Sequence, residues 1–529
     1  MTDRFSRRAF LQYGAGMAAG SMLPHSTGSR SSVGAQYATP RPVTVSDFEL
    51  DESTIAQLQD AMRSGARTSR SICADYLARI AELDPQLHAV LETNPDALAI
   101  ADRLDGERKA GRVRGPMHGI PVLVKDNVAT GDRMMTTAGS LALAGVTPPR
   151  DAPLVARLRA AGAVILGKTN LSEWANIRSN QSSSGWSARG GQCANPYALD
   201  RNPCGSSSGT GAAIAANFAA VGIGTETDGS IVCPSGACSL VGLKPTLGLL
   251  DGAGIIPIAH SQDTAGPMAR TVADASVLLG ALAARDYSAS LDPAGLRGAR
   301  IGVARKKFFG YSPEADALVE AAIDVLRRQG AVIVDPADIP HLGEYDDSEL
   351  LVLLYELKAD LAAYLAAWAP GGSVKSLADV IAFNDANKTR EMPYFGQELF
   401  IQAQAKGPLT DQAYRDALAK DQRLSRTEGL DVAFAQNTLD AIVAPTGSPP
   451  WPTDLVNGDH FLGASSTPAA VAGYPSIAVP VGYSFGLPVG MSFIGRANSE
   501  ATLLKLAYAY EQAAKPRVPP RFLPQWRPA

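Results

Sequence analysis

Short apolar runs alternate with amphipathic stretches over most of the chain, and few folds accommodate such a pattern. The apolar runs have the length of strands and lie at residues 120–124, 163–166, 219–222, 301–304, 331–334, 441–444, 476–481 and 489–494. Between two of them, Ser312 and Pro313 begin a helical stretch that ends at Gly330, which predicts a βαβ crossover. We therefore predict an α/β fold with a mixed, largely parallel central β-sheet flanked by helices.

Helical periodicity occurs between these runs. It is found at residues 53–65, 69–83, 152–161, 313–329 and 500–515. From about residue 346 to about residue 435 the pattern is helical and polar, which predicts an insertion that covers the sheet. No internal repeat divides the chain, so we predict a single domain from residue 36 to residue 529.

The first 35 residues carry an export pattern. Arg7 and Arg8 stand directly before residues 10–23, a weakly apolar stretch that is too short for a membrane span. The pattern resembles a twin-arginine signal peptide, and residues 33–35 offer a small-x-small cleavage site. We expect a periplasmic or secreted protein; the alternative is an unstructured tail.

Composition excludes several kinds of partner. The formal net charge is −4, the wrong sign for a surface that neutralises phosphates, so we expect no nucleic acid partner. No apolar run reaches 18 residues, so we expect no stable membrane association. Five cysteines and six scattered histidines predict neither a disulfide framework nor a metal site. We interpret Cys233 as a small buried free cysteine.

Serine, glycine, threonine, cysteine and asparagine crowd together between residues 185 and 236. A Gly/Ser loop at residues 205–211 runs into a strong helix former at 212–216, so helix N-terminal N–H groups face this loop. A phosphate-binding loop needs a lysine after its glycines, and residues 205–211 contain none. The composition therefore favours a serine-based site over nucleotide binding.

Lys125 is the candidate base for a serine in this region. It ends the apolar run at residues 119–124 and is followed by the polar pair Asp126 and Asn127. A lysine accepts a proton only when neutral, and burial among apolar side chains lowers its pKa toward that state. The alternative is a solvated lysine at a strand terminus.

Four segments together resemble the amidase signature family in content and in order. They are residues 119–127, 205–211, 224–234 and 242–246, within a signature core of about residues 115–290. The resemblance implies the amidase signature fold and hydrolysis of carboxamides to acid and ammonia through a serine acyl-enzyme, without metal or cofactor. Residues 195–209 and 224–230 are most similar to bacterial peptide amidases. This implies a small-molecule or peptide amide substrate and favours the C-terminal amide of peptides.

The resemblance also assigns roles to individual residues. It makes Ser230 the nucleophile, Ser206 the bridging serine in a cis peptide bond, and Lys125 the base. In this scheme Lys125 accepts the proton of Ser206 while Ser206 accepts that of Ser230. The implied oxyanion hole consists of the backbone N–H groups of Thr227, Asp228, Gly229 and Ser230.

The chain departs from the common family pattern on both sides of the site. Cys204 and Ser208 stand where the family loop commonly has glycine, so Ser207 or Ser208 could compete with Ser206 for the bridging role. Asp228 stands in the segment before the nucleophile, where the family commonly has an apolar residue and two glycines. We hypothesise that an ionised Asp228 repels a free carboxylate and so favours amides over acids as ligands.

Three other functions stay open on the sequence. Residues 205–209 match the Gly-x-Ser-x-Gly elbow of α/β-hydrolases, which makes Ser207 an esterase nucleophile with His260 or His460 as its partner. That elbow must follow a buried strand, whereas residues 199–203 are polar and contain proline. The other two are an exported amide-binding protein without catalysis and an amidotransferase A-like subunit.

Two further lysines and one loop complete the candidates. Lys168 and Lys244 also lie beside small residues, and we assign them structural roles. Residues 446–463, with Trp451 and Phe461, are expected either to line the substrate cleft or to pack as an ordinary loop.

Overall fold

The structure is a computed structural model that describes residues 45–527. These residues form one large sheet and a separate two-stranded pair. The large sheet contains β1 (Val90–Thr93), β2 (Pro121–Lys125), β3 (Val164–Thr169), β6 (Val221–Glu226), β7 (Val241–Lys244), β8 (Thr264–Ala269), β9 (Arg300–Val303), β10 (Val332–Val334), β11 (Ala441–Pro445), β12 (Ser476–Ser484) and β13 (Leu487–Ile494). The small pair is β4 (Trp186–Ser187) and β5 (Gly191–Gln192).

The large sheet has the strand order β1-β3-β2-β6-β8-β7-β12-β13-β11-β9-β10. Parallel pairs form two blocks, β3-β2-β6 and β11-β9-β10. Antiparallel pairs join the two blocks and add β1 at one edge. The mixed α/β sheet expected from the sequence is confirmed, with its parallel strands gathered in these blocks.

Helices pack around the sheet. In chain order they are α1 (Ile55–Ser64), α2 (Ser69–Leu87), α3 (Ala97–Lys109), α4 (Pro153–Ala160), α5 (Ser208–Ala215), α6 (Val232–Ala237), α7 (Val272–Ala283), α8 (Pro313–Arg328), α9 (Asp346–Trp368), α10 (Leu377–Ala386), α11 (Lys388–Glu391), α12 (Glu398–Gln404), α13 (Gln412–Gln422), α14 (Asp431–Asn437), α15 (Thr467–Ala472) and α16 (Glu500–Ala514). Strands β2, β3, β6, β7 and β8 are buried at every residue, as strands covered on both faces must be.

Helix starts follow the capping signals in the sequence. The Ser312 hydroxyl accepts a hydrogen bond from the Ala315 N–H and Pro313 is the first residue of α8, as predicted. Helix α1 begins after Thr54, whose side chain forms a capping box with Gln57.

Strand β6 is longer than the sequence predicts, and the difference bears on the site. The apolar run ends at residue 222, whereas the strand continues to Glu226. Its last residues pair with the antiparallel strand β8, for example Thr225 with Ala265. Pairing with a partner distant in the chain therefore extends the strand through Gly224 and Glu226, which have little strand preference of their own.

The predicted export signal, residues 1–35, lies outside the described residues. Within residues 45–527, no helix has both the length and the apolar character needed to cross a membrane.

Candidate active site

The ends of β2 and β6 bring the first candidate residues together. These strands are parallel neighbours, with Val124 opposite Ile223. Both therefore end at the same edge of the sheet, where Lys125 terminates β2 and Thr225 and Glu226 terminate β6. Open α/β sheets place their ligand sites at this carboxyl edge of the strands.

Lys125 is fully buried, so the solvated-lysine alternative is wrong. Its Nζ atom lies 2.8 Å from Ser206 Oγ, 2.9 Å from Thr225 Oγ1 and 3.2 Å from the Thr225 carbonyl oxygen. Burial lowers the pKa of Lys125 to about 7, against the opposing effect of the acidic residues Asp263 and Glu226. A substantial fraction of this amine is therefore neutral near pH 7.

Ser206 lies in the loop before α5, and the Gly205–Ser206 peptide bond is cis. The serine is fully buried, and its carbonyl oxygen accepts a hydrogen bond from the Ser172 N–H at 3.0 Å. A Cβ atom at position 205 would stand 2.2 Å from Ser172 Oγ. Glycine at this position therefore lets the loop pack closely against Ser172 and hold Ser206 beside the lysine.

The two serines that follow Ser206 are engaged elsewhere. Ser207 Oγ donates to the Thr225 carbonyl at 3.0 Å and accepts from the Thr225 N–H at 3.2 Å. Ser208 Oγ donates to the Cys204 carbonyl at 2.6 Å. Of the three adjacent hydroxyls, the one that contacts the lysine amine is that of Ser206.

Ser230 lies in the turn between β6 and α6, against the serine loop. Its carbonyl oxygen accepts a hydrogen bond from the Ser207 N–H at 3.1 Å. Gly229 has a φ of 79°, and a Cβ atom there would stand 2.9 Å from Ser466 Oγ, so glycine is required on both counts. Within residues 45–527, the N–H groups of Gly229 and Ser230 donate no hydrogen bond.

Two carboxylates, the buried Glu226 and the half-buried Asp263, hold this turn in place. Glu226 Oε2 accepts the N–H groups of Ile231 and Val232 at 2.7 and 3.0 Å. Asp263 Oδ1 accepts the Thr227 hydroxyl at 2.6 Å, and burial raises the pKa of Asp263 to about 7. The turn that carries Ser230 is thus fixed from both ends.

Sequence reasoning missed Thr225, Glu226 and Asp263. The first two lie inside residues 224–230, so the motif itself carried a signal for them. Asp263 comes from a separate segment, and only the pairing of β8 with β6 brings it to the turn.

Asp228 lies beside Ser230 and is half-buried. Its carboxylate accepts hydrogen bonds from the Ser466 hydroxyl and, at 2.9 Å, from the Thr467 hydroxyl. These two residues stand at the start of α15, so a segment from the C-terminal part of the chain packs against the turn.

A disulfide joins Cys204 to Cys233, and the prediction of a free Cys233 is wrong. The two Cα atoms are 6.0 Å apart, within the usual range for a bridge. The odd number of cysteines did not predict this pair, because the other three cysteines are free and buried. Since Cys204 precedes the serine loop and Cys233 follows Ser230, the bridge ties together the two segments that carry the candidate serines.

We expect loss of this disulfide to destabilise the protein measurably. A bridge that closes a 29-residue separation restricts the unfolded chain, which corresponds to about 3.6 kcal/mol of unfolding free energy. Urea denaturation of the Cys204→Ala/Cys233→Ala variant should show this loss, and a reductant should then have no further effect. Thiol titration of the unfolded, unreduced wild type should find three thiols, whereas five would contradict the bridge.

Burial does not distinguish Lys125 from Lys168 and Lys244, which are also fully buried. Lys168 Nζ donates to the Val128 carbonyl at 2.6 Å, and Lys244 Nζ donates to the Pro245 carbonyl at 3.2 Å. Burial lowers the pKa of both to about 8. Their backbone contacts agree with the structural roles predicted for them.

The structure contradicts the α/β-hydrolase arrangement, in which Ser207 lies on a nucleophile elbow and His260 or His460 is its partner. Nδ1 of His260 lies 2.8 Å from Asp360, Nε2 of His460 lies 3.1 Å from Asp454, and about half of each imidazole is exposed. Residues 202–207 contain no strand, so the buried strand that an elbow requires is missing from this part of the described chain.

The group His260, Glu356 and Asp360 is the one set of donor atoms within residues 45–527 that lie close enough together for a metal ion. The Glu356 carboxylate already accepts the Tyr414 hydroxyl at 2.8 Å and the Ser261 N–H at 2.9 Å. We assign no metal to this group.

Residues 446–463 pack as a loop beside the disulfide. Trp451 and Phe461 form an edge-to-face pair with ring centroids 5.5 Å apart. They belong to one apolar cluster with both bridged cysteines and Ala237.

Acyl transfer by a serine, with an uncharged amine as the base, is the chemistry that this edge of the sheet supports, and it defines a hydrolase. The family model described as Amidase matches residues 71–504. The chain belongs to this family, the amidase signature family, and is an amidohydrolase that acts on carboxamides.

Proteins of known name or structure are similar over nearly the whole chain. The native peptide amidase of Stenotrophomonas maltophilia superposes with a TM-score of 0.86 and 51% identity, covering 90% of this chain and 100% of that one. A probable amidase of Arabidopsis thaliana is 42% identical over 90% of this chain and 93% of its own. One subunit of the glutamyl-tRNA(Gln) amidotransferase of Roseiflexus is 35% identical over 88% of this chain and 96% of its own.

Proposed function

We propose that this amidase removes the C-terminal carboxamide of peptides, giving the free acid and ammonia. The 51% identity to a peptide amidase, across that protein's full length, supports this substrate class. The observation that carries the chemistry is the 2.8 Å contact between the buried amine of Lys125 and Ser206 Oγ.

In the proposed mechanism Ser230 Oγ attacks the amide carbon. Its proton passes to Ser206 while the proton of Ser206 passes to neutral Lys125. The same path in reverse protonates the departing nitrogen, and ammonia leaves. Water then attacks the acyl-enzyme by the same relay and releases the acid.

The contacts of Lys125 favour this direction of proton flow. A neutral amine has two N–H donors and one lone pair. The Thr225 carbonyl can only accept, and Thr225 Oγ1, which accepts Asn127 Nδ2 at 2.9 Å, has a second lone pair to offer. When both N–H groups point to Thr225, the lone pair is left for the hydroxyl proton of Ser206.

The turn before Ser230 is suited to an oxyanion hole. The N–H groups of Gly229 and Ser230 carry no internal partner within residues 45–527, and they adjoin the attacking oxygen. Fixed backbone donors stabilise the charge that develops on the carbonyl oxygen in the transition state. We assign this role to Thr227, Asp228, Gly229 and Ser230.

Ammonia release from a panel of amides tests the proposed substrate class. The panel pairs N-blocked dipeptide amides with simple aliphatic amides, an anilide and an ester of matched acyl group. We expect kcat/KM to be highest for the peptide amides. A preference for the ester would contradict the proposal, and ammonia release that depends on a second acceptor would favour an amidotransferase. Binding of amides without release of ammonia would show a non-catalytic protein.

We also propose export through the twin-arginine route. Arg7 and Arg8 carry the pattern, and the disulfide supports an oxidising compartment. Replacing both arginines with lysine should retain the full-length chain in the cytoplasm of a host with this route. Equal export of the variant would contradict the proposal.

A further inference from the structure

The turn that carries Ser230 is strongly acidic. Glu226, Asp228 and Asp263 lie in or against this turn, and each is fixed by hydrogen bonds from the backbone or from hydroxyl groups. Asp228 differs from the other two because it stands directly before Gly229 and Ser230 in the chain. Glu226 is buried, and Asp263, which is half-buried like Asp228, binds the Thr227 hydroxyl and the N–H groups of Ile258 and Ala259. Of the three carboxylates, that of Asp228 is therefore the one closest in the chain to the nucleophile, and it is partly exposed.

The position of the Asp228 carboxylate is set by its partners. The hydroxyls of Ser466 and Thr467 both bind it, and a hydroxyl leaves the charge of the group it binds unchanged. The charged groups that interact with Asp228 include Lys244 and Glu226, whose charges are of opposite sign and whose side chains are buried. The carboxylate is thus held in place by two hydroxyls, two residues before the reacting serine, and it is half-buried.

We propose that Asp228 is a specificity-determining residue that makes this site accept neutral carboxamides and reject ligands with a free carboxylate. The inference rests on the proposed function and narrows its substrate class. A peptide amide is uncharged at the reacting carbon, whereas its product acid carries a full negative charge there. Amides with a carboxylate close to the scissile bond, such as free asparagine, are disfavoured for the same reason.

The expected size of the effect follows from charge repulsion. Two like charges several ångströms apart near a protein surface repel with an energy that corresponds to about tenfold in affinity. Asp228 therefore favours release of the acid product and limits product inhibition, while the neutral substrate is unaffected by the charge.

Paired ligands measure this discrimination without turnover. In the Ser230→Ala background we would compare the Kd of an N-blocked dipeptide amide with that of the same dipeptide acid at pH 8. A benzamide and benzoate pair serves as a second probe. We expect the acid to bind about tenfold more weakly than the amide, and Asp228→Asn to remove most of that ratio. Asp228→Glu, which restores the charge, should restore the ratio.

A charge-matched control is Asp60→Asn, which removes an exposed carboxylate from α1 and should leave the ratio unchanged. The inference would be overturned if the amide and the acid of each pair bound with equal affinity, or if neither bound. It would also be overturned if the acid still bound more weakly than the amide in a folded Asp228→Asn variant. Turnover of the same dipeptide amide by the wild type is measured separately. Absence of turnover would contradict the proposed function. The ratio of the two Kd values would still decide whether Asp228 discriminates against carboxylates.

Discussion

Replacing Ser230 with alanine is expected to lower kcat for ammonia release by about 10⁴-fold or more. The substitution removes the only atom that forms the acyl-enzyme in the proposed mechanism, and no neighbouring hydroxyl is placed to replace it. Ser207 and Ser208 already bind backbone groups, and Ser206 is held against Lys125. Single-turnover ammonia assays with a peptide amide measure the effect.

Ser207→Ala is the matched control for this experiment. It removes a hydroxyl that bonds only the backbone of Thr225, so the loss should stay within about tenfold, as for one hydrogen bond. The reverse pattern, with Ser230→Ala active and Ser207→Ala inactive, would contradict the assigned nucleophile and revive the elbow arrangement.

The second large effect concerns the charge state of Lys125. Burial lowers its pKa to about 7, and the base must be neutral to accept a proton. We therefore expect kcat/KM to rise with pH, to reach half its maximum near pH 7, and to fall about tenfold per pH unit well below that value. Lys125→Met, which keeps the length of the side chain, should lower kcat/KM by about 10³-fold or more.

Lys168→Met is the control, because it also removes a buried lysine amine, but one to which we assign no catalytic role. Lys168 is equally buried, but it contacts the Val128 carbonyl and the Thr136 hydroxyl instead of a candidate serine. The variant should be less stable, yet its folded fraction should keep a midpoint near pH 7. A flat rate between pH 5 and pH 9 in the wild type would argue against an uncharged amine as the base.

Much of the fold can be predicted from the local pattern. Apolar runs of strand length and capped helical stretches follow from the side chains themselves, as at Ser312 and Pro313. The end of β6 could not be predicted in this way. Gly224 and Glu226 have little strand preference, and the segment forms a strand because β8 supplies hydrogen bonds to it.

The same holds for the candidate site, of which some residues could be predicted from the sequence and others could not. Lys125, Ser206 and Ser230 could be selected from the sequence because they lie in short motifs that resemble a known family. Asp263 could not be selected in this way, because nothing in the sequence around it indicates that it will bind the Thr227 hydroxyl. The disulfide was hidden for a related reason: spacing along the chain says nothing about which Cα atoms come within reach.

The sequence by itself determined the kind of fold, the family and the residues able to carry out the chemistry, because these depend on side-chain character and order along the chain. Only the tertiary structure decided which of three equally buried lysines meets a serine, which cysteines are bridged, and that Asp263 binds the turn before Ser230. Those outcomes depend on distances between segments, and such distances are set when the strands pair and the helices pack.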